Sequence, residues 1–168
     1  WRWWPELSTE LEEIRVTGGE PLMTPSIYKL FDWFKETDEP NAKNMRLAIN
    51  SNLMAKEALL NKFISATQHI DHFHVYTSCE AKGPQAEYIR DGLNWDIWTS
   101  QFERFASEAR YEGVHMMMTI NALCLETLPE FLEQLVQLKT ASKLYGPSLN
   151  FTLNILSFQI FQSRLVLP

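Results

Sequence analysis

The stretch Ile14-Arg15-Val16-Thr17-Gly18-Gly19-Glu20-Pro21-Leu22-Met23-Thr24-Pro25 decides the fold. Ile14 to Thr17 is a short strand-forming run that stops at two glycines. Thr24 stands where a helix N-cap belongs, with Pro25 in the first helical position. Ile27, Leu30, Phe31 and Phe34 then recur at helical spacing. Strand, glycine turn and helix in direct succession open a β–α unit.

The unit repeats along the chain. Leu47-Ala48-Ile49 is a second strand, closed by Asn50-Ser51-Asn52, and Met54 to Thr67 is a helix with Leu59, Leu60, Phe63 and Ile64 on its apolar side. Phe73 to Thr77 is a third strand, followed by Gly83-Pro84 and a helical turn around Tyr88 to Arg90. Asn94 caps a helix whose Ile97, Trp98, Phe102 and Phe105 face inward. Val114 to Ile120 is a fourth strand. A helix starting at Thr127 and Pro129 carries Phe131, Leu132, Leu135 and Leu138, and Tyr145-Gly146-Pro147 is a turn before a fifth strand, Leu149 to Leu156. Upstream, Glu6 to Glu13 reads as the tail of a helix, and Thr37 to Asn44 as a polar loop.

This alternation predicts an α/β fold with parallel strands and right-handed crossovers. Ligands of such sheets sit at the carboxyl ends of the strands. The residues to inspect are therefore Thr17-Gly18-Gly19-Glu20, Asn50-Ser51-Asn52, Ser78-Cys79-Glu80, Asn121 and Ser157.

Composition narrows the function classes. The 168 residues are 45% hydrophobic and 21% charged, which suits one globular domain or a piece of a larger one. Fifteen basic residues against 21 acidic ones give a net charge of -6, a poor match to nucleic acid. The charge-free run from Leu144 to Ser163 holds Gly146, Pro147, Asn150, Asn154 and Gln159, so no membrane span is expected. No secretory leader pattern opens the chain, and a cytoplasmic protein is the expectation. Cys79 and Cys124 are too far apart for a compact metal motif and read as free thiols in a reducing compartment. The opening Trp1-Arg2-Trp3-Trp4 would make a sticky free end, so these rings are expected to pack on an earlier segment.

Within the first turn, Gly18 and Gly19 allow positive φ and close approach of a ligand. Glu20 brings a carboxylate to the rim. Pro21 fixes the turn and, having no N–H, is expected to leave local carbonyls free. Carbonyls with a carboxylate suit a primary ammonium, whereas a phosphate wants backbone N–H groups and lysine. Taken alone, Gly-Gly-Glu also fits an ordinary strand-to-helix turn.

Val16-Thr17-Gly18-Gly19-Glu20-Pro21-Leu22 resembles the second-strand motif of radical S-adenosylmethionine (SAM) enzymes. Leu47 to Asn52 resembles that family's third strand, and Tyr76-Thr77-Ser78-Cys79-Glu80-Ala81 its fourth. Gly83-Pro84 and then Arg90, twelve residues after Ser78, are similar to the branch with SPASM or twitch auxiliary domains, and Thr119-Ile120-Asn121 resembles the fifth strand of that branch. The resemblance spans about residues 10 to 156.

It implies a partial (β/α)6 TIM-like barrel, with residues 1–168 as one core fragment that covers strands two to six and lacks the first. Such enzymes cleave SAM reductively at a [4Fe-4S] cluster to make a 5′-deoxyadenosyl radical. By the same resemblance, Gly18, Gly19 and Glu20, with Pro21 shaping the turn, hold the SAM ammonium. Ser78, beside Glu80, contacts the ribose or the methionine end. Arg90 pairs with the SAM carboxylate, a contact whose removal should cost at least about 1 kcal/mol of binding. Asn121 and Leu156-Ser157 flank the adenine, and Asn50 and Ser51 are weaker contacts to SAM or substrate. Peptide or protein modification is the implied substrate class, with a flavodoxin or ferredoxin as reductant.

The family's C-x3-C-x2-C motif is absent, and Cys79 and Cys124 cannot replace three clustered thiolates. The chain is expected to be a truncated piece of a parent that carries the cysteines upstream, with an exposed, aggregation-prone edge in the isolated piece. Two other readings stay open: a degenerate barrel that binds without catalysing, and an unrelated (β/α)-barrel enzyme acting on a small anionic substrate.

Three further clusters carry less. His69, Asp71, His72 and His74 place two imidazoles on one strand face, but at the amino end, where a solvated or capping role is expected. Met116-Met117-Met118 cannot converge on a strand and is expected to pack in the core. Glu103, Arg104, Glu108 and Arg110 read as a solvated helix face, and Trp33, Trp95 and Trp98 as helix-to-sheet packing.

Overall fold

The computed structural model describes residues 1–143 and 148–155. Five strands form one parallel sheet: β1 (Glu13–Val16), β2 (Arg46–Asn50), β3 (His72–Ser78), β4 (Gly113–Ile120) and β5 (Ser148–Ile155). Their order in space is their order in sequence, so every crossover steps the same way. The crossovers carry α2 (Pro25–Glu36), α3 (Glu57–Thr67), α4 (Pro84–Ile89) with α5 (Trp95–Glu108), and α6 (Leu128–Lys143). A short α1 (Trp4–Leu7) precedes β1. The α/β, all-parallel expectation holds.

Right-handed crossovers in one direction put the helices on one face of the sheet, and the aromatic contacts agree. Phe63 of α3 stacks on Phe31 of α2 at 5.8 Å and on Phe105 of α5 at 5.1 Å, and meets Phe73 of β3 edge-on at 5.7 Å. Trp98 of α5 reaches Phe131 of α6 at 6.2 Å. Along β3, Phe73, Val75 and Thr77 are buried while His72, His74, Tyr76 and Ser78 are half-buried. On β4, Val114, Met116 and Met118 are buried, and His115, Met117 and Thr119 are half-buried on the opposite face. On β3 and β4 this period of two marks a second face that is only partly covered, whereas on β2 Leu47, Ala48 and Ile49 are all buried. Met116 and Met118 are core, as expected, but Met117 is not: strand alternation turns it to the opposite face.

Several boundaries differ from the sequence reading. α1 stops at Leu7 rather than running to Glu13, because Ser8 and Thr9 turn their hydroxyls back on Pro5 O and Glu6 O. α3 starts at Glu57 rather than Met54. The Ser51 hydroxyl accepts from Leu53 N and the Asn52 side chain from Met54 N, which holds Leu53 at φ +55 and delays the helix. Residues Pro40–Lys43 form a 3-10 turn inside the expected loop. Asn94 caps α5 as expected, but Thr24 precedes α2 without a side-chain cap bond. Ile97 is exposed, not inward: Trp98, Phe102 and Phe105 form the buried stripe, and Ile97 lies a position off it. Arg110 follows α5 and pairs with Asp71, while Arg104 and Glu108 pair on the exposed helix face.

Trp4 finds a partner inside the chain, meeting Trp33 edge-on at 5.0 Å, whereas Trp1 and Trp3 are exposed. Trp98 is buried, and Trp33 and Trp95 pack against the core, as expected. The Tyr145-Gly146-Pro147 turn and Leu156-Ser157 lie outside the described residues.

Candidate functional site

The carboxyl ends of β1 to β4 gather most of the candidate residues into two hydrogen-bonded groups. The first joins the loops after β1 and β2. Gly18 and Gly19 take φ +87 and +57, with open space where a Cβ would stand. That backbone carries Glu20 back over the neighbouring strand. Its Oε1 accepts from Leu22 N at 3.1 Å and from the Ser51 hydroxyl at 2.8 Å, and its Oε2 from Asn52 N at 2.7 Å. Glu20 therefore stitches two loops together as well as lining the rim. The carbonyls of Glu20 and Pro21 are not left free: they accept from Met23 N and Thr24 N in the 3-10 turn Pro21–Met23. A residue without an N–H still sits in a turn that uses its carbonyl, which corrects the expectation for Pro21.

Asn50 ends β2 in register with Tyr76. Its Oδ1 is buried and has no hydrogen-bond partner. Such an orphan acceptor costs about 1–3 kcal/mol, and it is one of several buried unpaired polar atoms among the described residues, Thr77 Oγ1 on the neighbouring strand included.

The second group joins β3 to β4. Ser78 is the last residue of β3, half-buried on the face away from the helices. Two residues on, the Glu80 carboxylate is buried and grips Arg90, which closes α4: Nε donates to Oε2 at 2.8 Å and Nη2 donates to Oε1. Thr119 N also lies 3.4 Å from Oε1. The guanidinium uses its Nε–Nη2 edge on Glu80, and Nη1 makes no hydrogen bond among the described residues. Asn121 is used differently. Its Oδ1 accepts from Leu123 N and its Nδ2 donates to Thr119 O, so its side chain caps the turn Ala122–Cys124.

The sequence reading named Glu80 and Arg90 separately and missed that they pair, with Thr119 N close by. The signal for the pair was an acid and a base ten residues apart across Gly83-Pro84, which is visible only once the turn folds back.

Both thiols are free and buried. Burial pushes Cys79 up to about 12 and raises Cys124 as well, so both are neutral at physiological pH. The described residues do not fit a [4Fe-4S] cluster, and no group of three His, Cys, Asp or Glu among them could hold a metal ion. No helix among the described residues is long and apolar enough to cross a membrane.

A cavity of about 400 Å³ lies beside β1, lined by Trp1, Trp3, Trp4, Ile14, Val16 and Leu30 among others. It is apolar and touches the rim only at Thr17, Gly18 and Pro21, so it is not the centre of the polar site. No family model, curated protein or solved structure matches the chain.

Proposed function

We propose that the chain is the SAM-binding part of a radical SAM enzyme core, its sheet curved as part of a (β/α) barrel. The observation that carries the reading is the Gly18-Gly19 turn that brings Glu20 against Ser51 and Asn52 at the end of the strand that also carries the unpaired Asn50 Oδ1. An amino-acid ammonium would draw on such acceptors and on the remaining lone pairs of Glu20. Arg90 Nη1, which makes no hydrogen bond among the described residues, suits the matching carboxylate. Ser78 offers a hydroxyl at the end of the neighbouring strand. Bound SAM supplies the adenosyl group that this enzyme class cleaves, and this chain's residues bind it and fix its orientation. A peptide or protein substrate, and a flavodoxin or ferredoxin reductant, belong to the same proposal.

Replacing Asn50 with leucine should separate stability from binding. Removing an orphan acceptor should raise stability, by about 1 kcal/mol, while SAM affinity falls about tenfold. Isothermal titration of SAM with parent and variant, beside their urea unfolding curves, reads both. A parent that does not bind SAM would end the proposal. Unchanged SAM affinity in the variant would remove Asn50 from the site.

A further inference from the structure

The His72 and His74 motif finds its partners on the uncovered face, away from the rim. His74 Nδ1 lies 2.9 Å from Nε2 of His115 on β4, with the ring planes 21° apart. At that separation one nitrogen donates and the other must accept with a lone pair, so a single hydrogen stands between them. The other face of the arrangement is held as well. His74 Nε2 is 3.0 Å from Glu112 Oε2, which also meets His72 Nδ1 at 3.2 Å. His115 stacks on Tyr76 at 4.3 Å, and the Arg15 guanidinium lies 4.7 Å from the same tyrosine ring.

A second observation shows that the fold makes room for this pair. A Cβ on Gly113 would come within 2.7 Å of His115 Nε2 and 2.9 Å of His74 Nδ1, the two atoms that share the hydrogen. Gly113 needs no positive φ, so its requirement is space rather than backbone freedom. Any side chain there would part the rings.

We propose that His74 and His115 form a one-hydrogen dyad that latches β3 to β4 and opens in acid, when both imidazoles are charged. A neutral His74 that donates Nε2–H to Glu112 offers a bare Nδ1, so His115 Nε2–H is then the donor, whereas a charged His74 donates Nδ1–H to a neutral His115; either way one hydrogen is shared. With both imidazoles charged, two N–H groups stand head to head and two positive rings side by side. The charged and titratable groups around the dyad are Glu13 and Arg15 from β1, Arg46 from β2, His72 and Tyr76 from β3, and Glu112 before β4. From β5, the neutral Asn150 stands in register with His115. Arg15 and Arg46 are both paired with Glu13. Burial, with the charges of His74, Arg15 and Arg46, holds His115 below the ordinary imidazole range. The hydrogen bonds from His74 and His72 hold the Glu112 carboxyl below its usual range.

The sign follows. A histidine depressed in the folded state stabilises the fold above its unfolded value of about 6.5, and that contribution is lost as pH falls through the lower folded value. The latch is thus closed at neutral pH and opens in mild acid.

A nitrogen-15 NMR titration of the imidazoles in the full chain, from about pH 8 to 4, tests this. At neutral pH one hydrogen should be shared between His74 Nδ1 and His115 Nε2, and His115 should become charged only below the ordinary imidazole value of about 6.5. Amide exchange at Gly113 and His74 should accelerate over the same interval. Gly113→Ala should move the His115 midpoint toward the ordinary imidazole value. His115→Gln should abolish the acid step in exchange, a loss that a purely structural role would not produce. Two imidazoles titrating independently in the ordinary imidazole range would overturn the latch, as would Gly113→Ala curves superimposing on those of the parent. If either variant fails to fold, the parent's titration decides alone.

Discussion

Arg90→Ala should destabilise the chain by about 3 kcal/mol in urea unfolding at neutral pH, because it strands a buried charge. Glu80 is only 4% exposed, and both its oxygens are engaged by Arg90. Among the described residues the one further hydrogen bond to them is from Thr119 N at 3.4 Å, too long to replace a guanidinium. Removing one partner of a buried pair costs about 3–5 kcal/mol, and the lower end applies because the Arg90 side chain is 31% exposed. The added change Glu80→Gln should recover at least about half of the loss, since the charge is then gone. A loss below about 1 kcal/mol would mean that the pair behaves like a surface ion pair. This result also bears on binding. Arg90→Ala removes a fold contact as well as the proposed ligand contact, so a SAM titration of the variant has meaning only where it is shown to be folded.

Phe63→Ala should cost about 4 kcal/mol, the range for a phenylalanine deleted from a rigid core. The ring is fully buried and touches Phe31, Phe73 and Phe105, so it joins α2, α3, α5 and β3 at one point. Three surrounding rings, each held by its own element, have little freedom to close the cavity. By contrast, Ile97→Ala on the exposed side of α5 should change stability by less than about 0.5 kcal/mol. Denaturant unfolding of both variants reads the contrast. A loss below about 2 kcal/mol for Phe63→Ala would mean that the rings collapse into the space.

Much of this architecture was legible in residue order. The alternation of Phe73, Val75 and Thr77 with His72, His74 and Tyr76 marks β3 and separates its two faces, because strand side chains alternate strictly. The spacing of Trp98, Phe102 and Phe105 marks α5, and Gly18-Gly19 marks the turn that carries Glu20 to the rim. Less legible were features set by local side-chain competition. Ser8 and Thr9 end α1 early, and Ser51 and Asn52 delay α3, by offering the backbone hydrogen bonds that a periodicity reading does not weigh.

What the sequence determined by itself is the α/β class with parallel strands and most of the residues that end them, because alternating strand and helix patterns and their turns are written in local runs of residues. What the tertiary structure decided is which of those residues meet. Glu20 is committed to Ser51 and Asn52, Glu80 to Arg90, and His74 to His115 over the bare backbone of Gly113. Such pairs join separate loops and strands. Their geometry follows from strand register and turn direction, which exist only when the sheet has assembled.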